Sequence, residues 1–195
     1  PIYLKAQQTR IRNKVEAGFQ TVLDHGAYIM GPEIAALETR LGEWTGVAHN
    51  ISCSSGTDAL LLALMGLELQ PGQGVIVPSF TFAASAEVMP VMGAIPIFAE
   101  VDKTSFNVDP EKLPHALAAG KSAGIDIVGI IGVGLFGQPA NYVTIGNFAR
   151  ENGLWLIDDA AQSFGATLHG KPVGQLADVT CTSFFPAKPL GAYGD

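Results

Sequence analysis

Charge is scarce in this sequence: Asp, Glu, Lys and Arg together make up 15% of its 195 residues. Lys and Arg number 11 against 18 acidic residues, a net charge of −7, and no basic cluster interrupts that balance. Nucleic acid and anionic membrane surfaces are therefore disfavoured as partners, because both are held by clustered cations. Cysteine is almost missing: Cys53 and Cys181 stand far apart, which rules out a disulfide framework. Four scattered histidines offer no metal-ligand spacing. A basic-then-apolar leader is lacking at the start. Residues 127–149 carry no charge, but Gly, Pro, Asn and Gln interrupt them, so they do not read as a membrane span. Cytoplasm is the expected location, and the sequon at Asn50 carries little weight there. The sequence opens without Met and stops at "LGAYGD", and it reads as a piece of something longer.

Apolar residues are abundant, at 48%. A chain of this length and composition builds one domain with a substantial core. Helical spacing runs through residues 8–24 (Ile11, Val15, Phe19, Val22, Leu23) and 32–44 (Ile34, Leu37, Leu41, Trp44). "SCSSGTDALLLALMGLEL" then reads as a short strand, a Ser/Gly turn and a buried helix. "GVIVPSF", "AIPIFAEV", "IDIVGIIGV", "LWLID" and "DVTCTSFF" read as strands, separated by helices at 82–93, 109–118 and 140–151. Alternation of this kind predicts an α/β domain, a mainly parallel (mixed) sheet sandwiched by helices. Ligands of such sheets collect at the carboxyl ends of the strands. That rule selects residues 54–57, 79–82, 158–162 and 183–188.

"IIGVGLFGQPA" contains G-x-G-x-x-G at Gly132, Gly134 and Gly137, with Asp158 about twenty residues on, the outline of a dinucleotide fingerprint. That fingerprint needs its glycines in the turn and first helical turn, under the pyrophosphate. Here Pro139 follows, and proline belongs at a helix start, so the helix is expected near Pro139, beyond all three glycines. The register is wrong for NAD.

Three other stretches carry chemistry. Ser54, Ser55, Gly56 and Thr57 precede an apolar helix, where free backbone N–H groups make a phosphate site; an ordinary Ser/Thr cap fits the same residues. "LWLIDDAAQSFGA" ends a buried strand with Asp158 and Asp159, one of which faces the ligand edge and needs a cation or donor, while a capping Asp is the plainer alternative. In "TSFFPAKPLGAYG", Lys188 is the only charged residue between Asp178 and Asp195, in apolar and aromatic company. Most lysines are solvated surface groups, but desolvation favours a neutral amine, which can form a Schiff base. A phosphate site, a buried carboxylate and such a lysine together match the needs of pyridoxal 5'-phosphate (PLP).

With these residues in view, the sequence resembles the PLP-dependent nucleotide-sugar aminotransferases of the DegT/StrS type. The likeness runs from "YIMGPEIAALETRLGEW" through "SSGTDALLLAL", "PSFTFAASAEV", "GAIPIFAEVD" and "LFGQPA" to "IDDAAQSFGA" and "TSFFPAKPLGAYGD". It is strongest toward enzymes that aminate a UDP-linked 3-keto sugar acid. The resemblance implies a large domain of the aspartate-aminotransferase-like fold (fold type I). Residues 1–195 would span the N-terminal region and most of that PLP-binding domain, with a C-terminal small domain absent from this sequence. It implies Lys188 as Schiff-base lysine and proton shuttle, and Asp159 as partner of the pyridine nitrogen. Gln162 would sit beside the phenolic oxygen, Gly56, Thr57 and Ser183 on the phosphate, and Phe82 against the ring; Asp158 would face outward or cap. It further implies an amino-acid donor, L-glutamate, a nucleotide-linked keto sugar as acceptor, and a homodimer with shared active sites.

Some positions depart from the family pattern: Gln73 and Gly74 replace an acidic pair, Ala187 a common serine, and "VGLFGQ" a more usual Leu-Tyr pairing. Relatives that dehydrate sugars carry histidine where Lys188 stands, which argues against dehydration. A non-catalytic sugar-nucleotide or regulatory module would need none of Lys188, Asp159 and Gln162.

Overall fold

A computed structural model describes residues 4–193, which divide into two compact units at Ser52/Cys53. The first unit holds α1 (Leu4–His25) and α2 (Pro32–Thr45). Gly26, at φ +67°, takes the left-handed conformation that ends α1 where the sequence placed its stop. Pro32 opens α2, and Gly46 closes it in the left-handed region, its N–H donating to the Gly42 carbonyl at 2.7 Å. Phe19 and Leu23, on the apolar side of α1, remain largely exposed.

The second unit contains α3 (Gly56–Gly66), β1 (Gly74–Pro78), α4 (Ala84–Val91), β2 (Ile95–Ala99), α5 (Leu113–Ser122), β3 (Ile127–Val133), α6 (Tyr142–Glu151), β4 (Trp155–Asp159), a hairpin of β5 (Thr167–Leu168) and β6 (Lys171–Pro172), and β7 (Val179–Cys181). Five strands form one sheet in the order β2-β1-β3-β4-β7, and every pairing among them is parallel. The chain steps from β1 to β2, then crosses back to lay β3 on the other side of β1. That reversal opens a crevice at the carboxyl ends of the strands.

Near-continuous apolar runs in these strands reflect burial on both faces. Ile76, Ile130 and Leu156 face α5 and α6, packing on Leu113, Leu117, Ile145 and Ala149. Their neighbours Val75, Val77, Ile131 and Ile157 face α3 and α4, packing on Leu60, Leu64, Val88 and Met89. Full burial of each such side chain contributes about 1.5–3 kcal/mol, so the two apolar layers hold the strand ends in place.

Two local expectations are corrected. The segment before α3 is not a strand. Helix α6 begins at Tyr142 rather than near Pro139, because Asn141 provides the cap, its Oδ1 accepting from the Thr144 N–H at 3.2 Å. The three glycines of the fingerprint have packing roles. An added Cβ at Gly132, inside β3, would come within 2.7 Å of the Tyr142 ring, and one at Gly134 would collide with Ser163. Gly137 sits at φ +93° in a tight turn. Buried Asn107 fixes that turn, its Oδ1 accepting from Leu135 N–H and its Nδ2 donating to the Gln138 carbonyl, both at 2.9 Å. Among the described residues no helix is long and apolar enough to cross a membrane.

Candidate active site

All four segments selected from the sequence lie at the carboxyl edge of the five-stranded sheet or at the N-terminus of α3. The start of that helix presses on the end of β7: a Cβ at Gly56 would stand 2.7 Å from the Cβ of Ser183. The close approach leaves the first-turn N–H groups of Gly56 and Thr57 beside the buried Ser183, at the electropositive end of a helix. Ser55 is the cap, its Oγ accepting from the Asp58 N–H at 3.1 Å, and the Ser54 hydroxyl donates to the Asp58 carboxylate at 2.5 Å. The cap reading of "SSGT" therefore holds, at Ser55. Alanine at an exposed helical glycine gains up to about 1 kcal/mol. Here the clash with a rigid Cβ dominates, and Gly56→Ala is expected to lose about 1–3 kcal/mol of stability. The same variant should bind PLP about tenfold more weakly, a loss of about 1.4 kcal/mol; thermal unfolding and cofactor titration measure the two effects.

Strand pleating separates the adjacent carboxylates. Asp159 falls on the Ile157 side, toward α3 and α4, and there the Ser85 hydroxyl donates to its Oδ2 at 2.7 Å. The Ala161 N–H donates to Oδ1 at 3.2 Å. Burial pushes the Asp159 carboxyl up from the ordinary range, while Ser85, Ala161 N–H and the charge of Lys188 pull it back. Asp158 falls on the Leu156 side and is fully buried, its Oδ1 accepting from the Tyr142 hydroxyl at 2.5 Å. The expectation that Asp158 faces outward or caps is thus wrong: α6 and β3 cover it.

Lys188 follows β7 and is half-buried, an enclosure less complete than its apolar neighbours in sequence implied. Its Nζ stands 5.8 Å from the centroid of the Phe82 ring, in cation–π range. Phe82 itself is largely exposed and leads into α4, whose first turn carries Ser85. Gln162, just past β4, is tied to the fingerprint turn: its Oε1 accepts from the Phe136 N–H at 2.9 Å. That bond leaves the amide nitrogen as the donor end. Phe106 and Phe136 adopt left-handed backbones, at φ +62° and +56°, and their rings lie 5.9 Å apart, with Phe80 5.7 Å from Phe106. Bulky residues at positive φ are strained, and such strain concentrates where a surrounding structure holds a functional edge.

The structure thus brings Gly56 to Ser183, Phe82 to Lys188, and Lys188 within electrostatic reach of Asp159. Ser85 was missed in sequence. Its signal was the spacing in "FAAS", which sets a hydroxyl one turn beyond Phe82, on the helix packed over the end of β4. This donor set fits a phosphorylated pyridine aldehyde: a helix N-terminus with a hydroxyl for the phosphate, a buried carboxylate for a ring nitrogen, and an amine on the same side of the sheet.

The chain is 47% identical over 194 residues to the UDP-2-acetamido-2-deoxy-3-oxo-D-glucuronate aminotransferase of Pseudomonas aeruginosa, covering 100% of this chain and 52% of that protein. Among solved structures, a DegT DnrJ EryC1 StrS aminotransferase from Brucella abortus superposes with a TM-score of 0.95 at 48% identity, covering 97% of this chain and 51% of that one. NtdA of Bacillus subtilis, solved with bound cofactor PMP, gives a TM-score of 0.83 at 31% identity, over 93% of this chain and 40% of that one. The chain spans about half the length of the curated relatives it matches. The model of the DegT/DnrJ/EryC1/StrS aminotransferase family matches residues 9–195, and the chain belongs to that family.

Proposed function

We propose that this chain is the cofactor-binding part of a PLP-dependent aminotransferase, which moves an amino group from an amino-acid donor, L-glutamate, to a keto group of a nucleotide-linked sugar. One observation carries the reading: a buried carboxylate, a lysine and a helix N-terminus share one face of one sheet edge. The solved relative with bound PMP supports the cofactor, and the Pseudomonas relative, named for a UDP-linked 3-oxo sugar acid, supports that acceptor class. The product would enter amino-sugar biosynthesis, for a surface polysaccharide such as lipopolysaccharide or for a secondary metabolite. Residues 1–195 are read as the N-terminal region and most of the large domain. The full protein is read as a cytoplasmic homodimer with shared active sites.

PLP, when bound, supplies an electron sink that stabilises negative charge at the carbon bearing the transferred nitrogen. The N–H groups of Gly56 and Thr57 and the Ser183 hydroxyl hold its phosphate. Asp159, oriented by Ser85, keeps a proton on the pyridine nitrogen, and its charge matters more in a buried site than it would in water. Phe82 covers the ring, and the Gln162 amide donates at the phenolic oxygen. Lys188 Nζ would anchor the cofactor and would move a proton from one carbon to another.

The purified protein supplied with PLP is expected to turn yellow, to be bleached by borohydride, and to change its visible spectrum when L-glutamate is added. A protein that stays colourless and takes up NAD would overturn the reading.

A further inference from the structure

Of the two buried carboxylates that end β4, the proposed site uses only Asp159. Asp158 is fully buried, its Oδ1 is held by the Tyr142 hydroxyl, and its Oδ2 has no hydrogen-bond partner. On one side its register partner is Gly132, where the missing side chain admits the Tyr142 ring to the strand end. On the other side the partner is Thr180 of β7, whose buried Oγ1 also lacks a partner. Register partners on neighbouring strands project from the same face of a sheet. Two unsatisfied oxygens thus stand on one face, on paired residues, and an unsatisfied buried polar atom calls for an explanation.

The groups facing Asp158 are few. Tyr142 reaches it from α6, Thr180 flanks it from β7, and Gly132 brings only backbone from β3. Asp159, one residue along β4, adds a like charge. Among the described residues no Lys, Arg or His forms an ion pair with Asp158. Asp159, by contrast, has Ser85, the Ala161 N–H and the charge of Lys188. Neighbouring buried carboxyls do not readily ionise together, and the proton settles on the member with the poorer compensation.

We propose that Asp158 is a positioning residue kept as a neutral carboxylic acid, so that the end of β4 carries one negative charge, that of Asp159. Asp159 keeps its charge because its neighbour has none. The inference rests on the reading of Asp159 as partner of the pyridine nitrogen. Burial and the Asp159 charge push the Asp158 carboxyl up to about 7, against the pull of the Tyr142 hydroxyl, in agreement with a proton held there below neutrality.

Asp158→Asn reproduces the neutral acid: it carries no charge, and its amide oxygen accepts from Tyr142. The PLP-loaded variant is expected to keep the wild-type visible spectrum, with kcat within about threefold of wild type, well short of the roughly 100-fold that a general acid or base contributes at least. The second readout is thermal stability against pH. A carboxyl with a raised folded pKa binds its proton only in the folded state between its unfolded and folded values. Wild-type stability therefore falls as pH rises from about 4 to about 7, and levels above that. The Asp158→Asn variant has no such slope, so the Tm difference, variant minus wild type, is expected to grow by roughly 5–10 °C across that window. In Tyr142→Phe the donor that lowers the carboxyl is gone, and the wild-type inflection should move to higher pH.

A pH-independent Tm difference for Asp158→Asn, or a Tyr142→Phe inflection that moves to lower pH, overturns the proposal. Loss of turnover in Asp158→Asn as deep as that of Asp159→Asn does the same. If instead Asp159→Asn turns over normally, the Asp159 reading fails, while the pH–stability contrast still decides the protonation of Asp158.

Discussion

Lys188→Ala is expected to leave a folded protein that remains colourless with PLP and turns over at least about 10⁴-fold more slowly than wild type. In the proposed function the side chain has two duties, anchoring the cofactor through Nζ and moving a proton between two carbons, and removing it would end both. Its packing contribution is small, because it is half-buried and its nearest aromatic partner, Phe82, is largely exposed. A cation–π contact at an exposed site is worth about 0.5–1 kcal/mol, so the loss of Tm should be slight. Absorbance spectra and single-turnover rates with L-glutamate measure the effect. A yellow, active Lys188→Ala protein would show that another amine, or another chemistry, does the work.

Asp159→Asn is expected to retain PLP within a few-fold of wild-type affinity, yet slow each half-reaction by about 10³-fold, the scale of losing a preorganised electrostatic partner. The amide fits the same space and can keep its bond to Ser85, so neither the fold nor the phosphate cradle is disturbed. What disappears is the negative charge that, in the proposed function, would hold a proton on the pyridine nitrogen. Equilibrium cofactor titration and rapid-mixing kinetics separate the two effects. Wild-type rates in this variant would mean that the wrong carboxylate has been chosen.

That choice illustrates what the sequence could and could not disclose. Apolar runs broken at regular intervals disclosed the strands and helices, because burial on both faces of a parallel sheet leaves that pattern. The adjacent pair Asp158-Asp159 disclosed a charged strand end but not its polarity, since a single residue step exchanges the two faces of a strand. Only the helices packed outside decide it: α4 brings Ser85 to one carboxylate, and α6 brings Tyr142 to the other. Proline at 139 was a sound helix-start signal overruled by Asn141, whose side chain caps the backbone two residues later. Ser85 escaped notice because a hydroxyl in a run of small residues looks like ordinary helix packing. Its partner lies far away in sequence.

The contact of Gly56 with Ser183 joins the first helix of the larger unit to its last strand in the five-stranded sheet. Nearly the whole unit lies between them, so this contact closes a long chain loop and brings a large entropic penalty ahead of its reward. A phosphate held there binds only the closed chain, and by mass action it stabilises every strand enclosed by that loop. Cofactor retention thereby becomes a readout of the entire unit: a substitution deep in β1 or β3, far from any reacting atom, should be felt first as a protein that loses its colour.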